Sequence, residues 1–174
     1  MFKRLFLLIG LCSATAAAHG QALPTASRLG DLSLGAGYTT VNSDYSPQRY
    51  TGFGIYGDFN YRPHWGAEAE FRFASDHQSS QFYEKTYELG PRYYLVHGRY
   101  TPYAKAMYGR GVFNFYQGQA NLAYNMLVGG AGLDYRIMPW LSVRGDFEYQ
   151  HWFGFPPNGL TPTTLTFGAA YHFR

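Results

Sequence analysis

Gly52-Phe-Gly54-Ile-Tyr-Gly57 matches the glycine spacing of a dinucleotide-binding loop. That loop binds a pyrophosphate because it joins a strand to the first turn of a helix. The residues that follow, Asp58 to Pro63, alternate in polarity and then break, so they predict no helix. We therefore predict that no nucleotide cofactor binds here.

The histidines are the next candidates for chemistry. Beyond the first 22 residues they are His64, His77, His97, His151 and His172, and none forms a His-x-His or His-x-x-x-His pair. Without such convergence the spacing predicts no metal site. His151 with Thr161 or Thr163 is the nearest base and nucleophile pair for an enzyme acting on lipid A. No local motif supports that pair, so we predict no catalytic residues, no cofactor and no enzyme.

The acidic residues share a pattern. In residues 141–150, Arg144, Asp146 and Glu148 alternate with apolar residues, so each strand face has one character. Nine of the 11 acids, with five bases, fall on the charged face across the whole chain. That face holds Asp31, Asp58, Glu68, Glu70, Arg72, Glu84, Glu88, Arg92, Lys105, Asp134, Arg136, Arg144, Asp146 and Glu148. We expect them to pair in a hydrogen-bonded network, because isolated buried charges are very costly.

The alternation extends from residue 31 to the end and predicts eight strands. They cover residues 31–42, 50–61, 65–74, 82–95, 100–115, 121–136, 141–153 and 163–173. Most have ten residues or more, which is the length a tilted strand needs to cross a bilayer. An even number of strands can close into a barrel that leaves no edge exposed to lipid.

The connections between these strands alternate between tight turns and longer polar loops, as in a transmembrane barrel. Aromatic residues crowd the short-turn end of the apolar face, where a membrane–water boundary would lie. They are Tyr61, Trp65, Tyr135, Trp140, Tyr171 and Phe173. These features favour a closed antiparallel eight-stranded transmembrane β-barrel, all-β, with short periplasmic turns and longer extracellular loops.

Two residues conflict with this simple pattern. Pro91 lies within the fourth strand and removes a ladder donor, which we explain by a bulge or an early strand end. Arg110 falls on the apolar face of the fifth strand, where it is costly near the membrane midplane and cheap near the interface.

Composition narrows the class of protein. The 174 residues are 20% aromatic and only 14% charged, which excludes a disordered chain. A net charge of +3 is too small to indicate nucleic acid binding.

Residues 1–22 follow the three-part pattern of a signal peptide, with cleavage after residue 18 or residue 22. Residues 23–174 are then a single barrel domain without cysteine.

The C-terminal residues carry a resemblance to a known family. Gly168, Tyr171 and Phe173 resemble the assembly signal of bacterial outer-membrane barrels, in which a glycine precedes two aromatic residues spaced by one. With the leader and eight strands, the chain resembles the small OmpA/OmpX-like outer-membrane β-barrel family. The resemblance implies location in the outer membrane, contact with its lipid, and recognition by the barrel-assembly machinery during biogenesis.

Several functions fit this class of protein. The leading expectation is a structural or surface-interaction protein with a filled interior. The alternative is a narrow, low-conductance, cation-preferring pore, and a lipid A-modifying enzyme or a soluble ligand-binding barrel is less favoured. In the fourth long loop, Phe155 and Leu160 are candidate contact residues for an extracellular ligand of unknown identity. Trp152 and Phe153 are otherwise expected in the outer aromatic girdle.

Overall fold

The computed structural model describes residues 30–44, 48–76, 82–115, 120–155 and 158–173. The predicted leader, residues 1–22, lies outside these ranges. Among the described residues, no helix is long and apolar enough to cross a membrane.

Eight antiparallel strands form a closed barrel in which each strand pairs with its neighbours in sequence and the last pairs with the first. They are β1 (Asp31–Asn42), β2 (Arg49–Arg62), β3 (Trp65–Ser75), β4 (Tyr83–Tyr94), β5 (Tyr100–Phe115), β6 (Ala120–Met138), β7 (Leu141–Trp152) and β8 (Thr163–His172). The predicted number of strands is confirmed, and their predicted ends differ from these by two residues at most. Alternation predicted the strands well because each has one face that must avoid water.

The barrel closes between β1 and β8, which pair from Ser33 and His172 to Asn42 and Thr163. Beyond β8, the Phe173 amide donates to the Leu32 carbonyl at 3.0 Å. The β2–β3 and β6–β7 registers each shift once, next to a short turn. These irregularities adjust the turns while the rest of each ladder stays in register.

Pro91 neither creates a bulge nor ends its strand. It pairs with Ala67 of β3, and β4 continues to Tyr94. On the β5 side, the pairs Leu89–Tyr108 and Arg92–Lys105 keep one register across it. Our expectation was wrong because a proline lacks only its own N–H donor, and the ladder on both sides of it holds the strand in place.

The two faces of the wall have opposite polarity. Phe147 on the outer face is 51% exposed, whereas the adjacent Glu148 on the inner face is 1% exposed. This is the reverse of a soluble barrel, which buries its apolar face. Outward aromatic rings contact one another at the short-turn end, with centroid distances of 5.2 Å for Trp65–Tyr93 and 6.0 Å for Trp140–Tyr171.

Three aromatic rings inside the barrel lie against glycines, which leave room because they have no side chain. Tyr56 contacts Gly35, Tyr103 contacts Gly132, and Trp152 contacts Gly111. A Cβ atom at Gly132 would come within 2.5 Å of Tyr103 Cζ and 2.6 Å of the Gly145 carbonyl oxygen. These glycines therefore allow large rings to fill a narrow interior.

We predict that Gly132→Ala destabilises the barrel by about 1–3 kcal/mol, because the added methyl overpacks the interior. Gly129→Ala on the same strand is the matched control, since a Cβ there has no neighbour within 4 Å. Urea unfolding of both variants in lipid vesicles measures the difference. Equal midpoints for the two variants would show that the Tyr103 ring moves aside without loss of stability.

Candidate functional site

The barrel interior divides into three levels along its axis. The inner mouth, at the short-turn end, is a cavity of about 290 Å³ lined by Asp31, Asn60, Arg136, Ser142 and His172, among others. The charged cluster lies above it and comprises Asp58, Glu68, Glu70, Arg72, Glu88, Arg92, Lys105, Asp134, Arg144, Asp146 and Glu148. The apolar plug, at the long-loop end, comprises Val41, Tyr50, Ala74, Met107, Phe113, Met126, Val128, Trp152 and Leu160.

Lys105 lies at the centre of the charged cluster. Its Nζ contacts four carboxylates, at 2.7 Å from Glu68, 3.1 Å from Glu70, 2.8 Å from Asp146 and 2.6 Å from Glu148. These acids come from β3 and β7, on opposite sides of β5. One ammonium group thus links strands that share no ladder.

Arg72 has a similar role nearer the plug. Its guanidinium lies 2.6 Å from Glu70, 2.7 Å from Glu148 and 3.1 Å from Glu88. Oxygen atoms of these three glutamates lie within 4.8 Å of one another, a spacing that could hold a metal ion. Because Arg72 donates to all three, its guanidinium already supplies the positive charge that this carboxylate group needs.

Arg144 and Arg92 hold the part of the cluster next to the inner mouth. Arg144 lies 2.7 Å from Asp58, 2.7 Å from Asp134 and 3.2 Å from Glu68. Arg92 lies 2.9 Å from Asp58 and also pairs with Asp134. Both guanidiniums stack on the Tyr103 ring, at 3.8 Å for Arg92 and 4.9 Å for Arg144. Stacking of this kind compensates part of the lost hydration.

The structure brings together most of the residues predicted for the interior charge network, but three of them lie apart. Glu84 is buried nearer the plug, where it accepts a hydrogen bond from Ser43 at 3.4 Å. Arg136 shares the inward phase, yet it lines the inner mouth and is exposed to solvent. Asp31 is likewise exposed at this mouth. The network is therefore confined to the middle of the barrel.

The apolar plug corrects our expectations for the fourth long loop. Trp152 is 0% exposed and belongs to the interior, not to the outer girdle, and its Nε1 donates to Gln150 Oε1 at 2.9 Å. Leu160 is only 4% exposed because it pairs with Trp152 and folds into the barrel opening, so it is not an exposed contact residue. Phe155 is partly buried against Tyr124, at a centroid distance of 5.7 Å.

The residues of the other candidate motifs lie on β2 and near the fourth long loop. Gly52, Gly54 and Gly57 lie in β2, with no helix after them. Thr161 Oγ1 donates to Asp44 at 3.0 Å, whereas His151 packs against Phe153 at a centroid distance of 5.0 Å. In the part of the chain that the structure describes, His151 forms no hydrogen bond with Thr161 or Thr163, although the register of β7 and the residues before β8 places it opposite Thr161.

The residues of the predicted assembly signal lie on β8 and just beyond it. Tyr171 and Phe173 face outward, and their rings contact each other at 5.1 Å. Gly168 has the inward phase, where a Cβ would come within 2.7 Å of the Ala36 carbonyl oxygen. The two aromatic residues and the glycine therefore occupy opposite faces of the closing strand.

An apolar outer wall around a filled polar interior defines a small membrane-spanning β-barrel. The profile of the family described as "Outer membrane protein beta-barrel domain" matches residues 5–173. The chain belongs to this family and is a protein of the outer membrane. No curated protein matches it.

Solved structures of outer-membrane proteins share this fold. Neisserial surface protein A is 12% identical with a TM-score of 0.69, and the match covers 84% of this chain and 98% of that one. OprG from Pseudomonas aeruginosa is 14% identical with a TM-score of 0.63, covering 84% and 97%. Ail, the attachment invasion locus protein of Yersinia pestis, is 21% identical with a TM-score of 0.57, covering 84% and 100%. At these identities the likeness shows the fold alone.

We predict that Arg144→Met destabilises the barrel by about 3–5 kcal/mol, because it removes one of the bases that pair with the buried carboxylates of Asp58, Glu68 and Asp134. Arg136→Met is the matched control, since it removes the same group from the exposed mouth and should cost less than about 1 kcal/mol. The measurement is urea unfolding in lipid vesicles at neutral pH. Similar losses for both variants would contradict the assigned role of the charged cluster.

Proposed function

We propose that this protein is an integral outer-membrane barrel with a structural or surface-interaction role, a side-chain-filled interior and no catalytic activity. The observation that carries the proposal is the pair of stacked obstructions inside the barrel. The charged cluster fills its middle, and the apolar plug closes its extracellular end. A passage would have to cross both.

The two obstructions act on ions in different ways. In the charged cluster, Arg72 and Lys105 are held by several carboxylates each, so moving either one breaks more than one buried ion pair. In the apolar plug, a hydrated ion would have to shed its water without gaining polar partners, which is very costly. Constrictions lined by apolar side chains close channels in this way.

The alternative function is a narrow, cation-preferring pore. The interior wall of the described residues favours cations, because its acids outnumber its bases. The acids are Asp58, Glu68, Glu70, Glu84, Glu88, Asp134, Asp146 and Glu148, and the bases are Arg72, Arg92, Lys105 and Arg144. Glu70 and Glu148 lie at the centre of this surface, so they are the residues on which such selectivity would depend.

The proposed partners follow from the surfaces of the barrel. Membrane lipid would contact the outward apolar face, and the assembly machinery would recognise Gly168, Tyr171 and Phe173. A surface-interaction role is further supported by the names of two structural neighbours, a surface protein and an attachment invasion locus protein. The identity of the extracellular ligand is unknown. Phe153 is exposed and therefore replaces the buried Leu160 as the candidate apolar contact residue.

We expect the purified protein to show no conductance steps in planar bilayers, because the interior is closed. A variant without the large plug side chains, Trp152→Ala with Leu160→Ala, should also show no steps, because the charged cluster still fills the middle of the barrel. Its folding is checked by its heat-dependent mobility on SDS gels. Steps in the unmodified protein that disappear in Glu70→Gln with Glu148→Gln would establish the pore instead. Lipid A mass spectra that change with expression of the gene would contradict the absence of catalysis.

A further inference from the structure

The outer wall carries a small polar group at the extracellular ends of β4, β5 and β6. Lys85 and Arg110 are diagonal neighbours, because Lys85 pairs with Val112 and Arg110 pairs with Tyr87. Diagonal neighbours in a sheet lie about 7–8 Å apart. Asn125 of β6 pairs directly with Arg110 and is exposed on the same face. We call these three residues the outer basic group.

The outer basic group lies near the outer membrane interface. Ten residues separate Arg110 from Tyr100, which is paired with Tyr135 at the periplasmic girdle, with ring centroids 5.0 Å apart. At about 3.3 Å per residue and a tilt near 40°, that separation spans about 25 Å along the membrane normal. The apolar band of such barrels is also about 25 Å tall. Arg110 therefore lies where lipid headgroups begin.

Among the described residues, no acidic side chain lies on this outward face of the strands. All acidic side chains in the described strands have the inward phase, and Asp44 and Asp76 lie in loops. Lys85 instead contacts aromatic rings, with its Nζ 4.7 Å from the Tyr83 centroid and 5.8 Å from the Phe73 centroid. Arg110 is exposed beside Tyr87. The positive charge on this face can therefore be paired only by an anion from outside the protein.

We propose that the outer basic group binds the phosphate of a phosphorylated glycolipid of the outer leaflet, such as lipid A. A guanidinium binds phosphate oxygens in a bidentate manner, an ammonium adds a point charge, and an amide adds a donor. The exposed Tyr87 and Tyr108 rings beside them would contact the acyl chains. The occupant is a lipid and not a free anion, because the site opens sideways from the wall into the membrane.

The test measures lipid retention by native mass spectrometry. The folded protein is placed in phosphatidylcholine nanodiscs that contain either bisphosphorylated lipid A or the same lipid after chemical dephosphorylation. We expect the unmodified protein to retain the phosphorylated form at least about tenfold better, the effect of one or two charge-assisted hydrogen bonds. Lys85→Gln with Arg110→Gln should remove that preference, and Lys85→Arg with Arg110→Lys should restore it.

The matched control removes two exposed arginines at the opposite end of the barrel, Arg62→Gln with Arg99→Gln. This control should keep the preference, although it loses the same net charge. Heat-dependent mobility on SDS gels verifies that every variant is folded. Equal retention of the dephosphorylated lipid, an unchanged preference in the Lys85 and Arg110 variant, or an equal loss in the control would each overturn the proposal. Complete displacement by millimolar inorganic phosphate would identify a free-anion site and would also overturn it.

Discussion

Closure of eight strands is the constraint on which the rest of this structure depends. It leaves an interior just wide enough for side chains, and alternation sends every second side chain into that space. The acids placed there come from strands on different sides of the barrel. They are tolerable because the bases are shared among them: Lys105 contacts four acids and Arg72 three, and Arg92 and Arg144 both pair with Asp58 and Asp134. Removing Lys105 would leave Asp146 without a base, and removing Arg72 would leave Glu88 without one. Each loss would also weaken the pairing of Glu70 and Glu148, which the two bases share.

The same lack of space explains the other residues in the interior. Tyr56 and Tyr103 cover guanidinium faces, and Gly35 and Gly132 make room for their rings. Toward the extracellular end, polar groups give way to the apolar plug, with Gln150 at the boundary between them. Gln150 accepts from Trp152 and lies 3.3 Å from Glu148. Along the barrel axis the interior thus changes from an exposed polar mouth to the charged cluster and then to the apolar plug, an order that favours a closed barrel over a channel.

The alternation of polar and apolar residues predicted the eight strands and the inward position of the acids, because both follow from local sequence. The same alternation also places Trp152 inside, since it lies two residues from Gln150 and four from Glu148 on the same strand. We assigned it to the outer girdle because aromatic residues are common at strand ends, although the alternation along β7 predicted its position correctly. Leu160 lies outside any strand, and only the path of its loop decides that it is buried. The choice of acids around Lys105 depends on barrel register, which spans residues distant in sequence.

Alternation also determines what the outer wall can bind. Because the acids of the described strands all point inward, a base on the outward face has no acidic partner on that face. Arg110 is such a residue, and its cost depends on its depth in the membrane. Ten residues above Tyr100, it lies beyond the apolar band and beside Lys85. A residue that would destabilise the barrel at the midplane therefore becomes, at this height, a means of holding an anionic lipid against the wall.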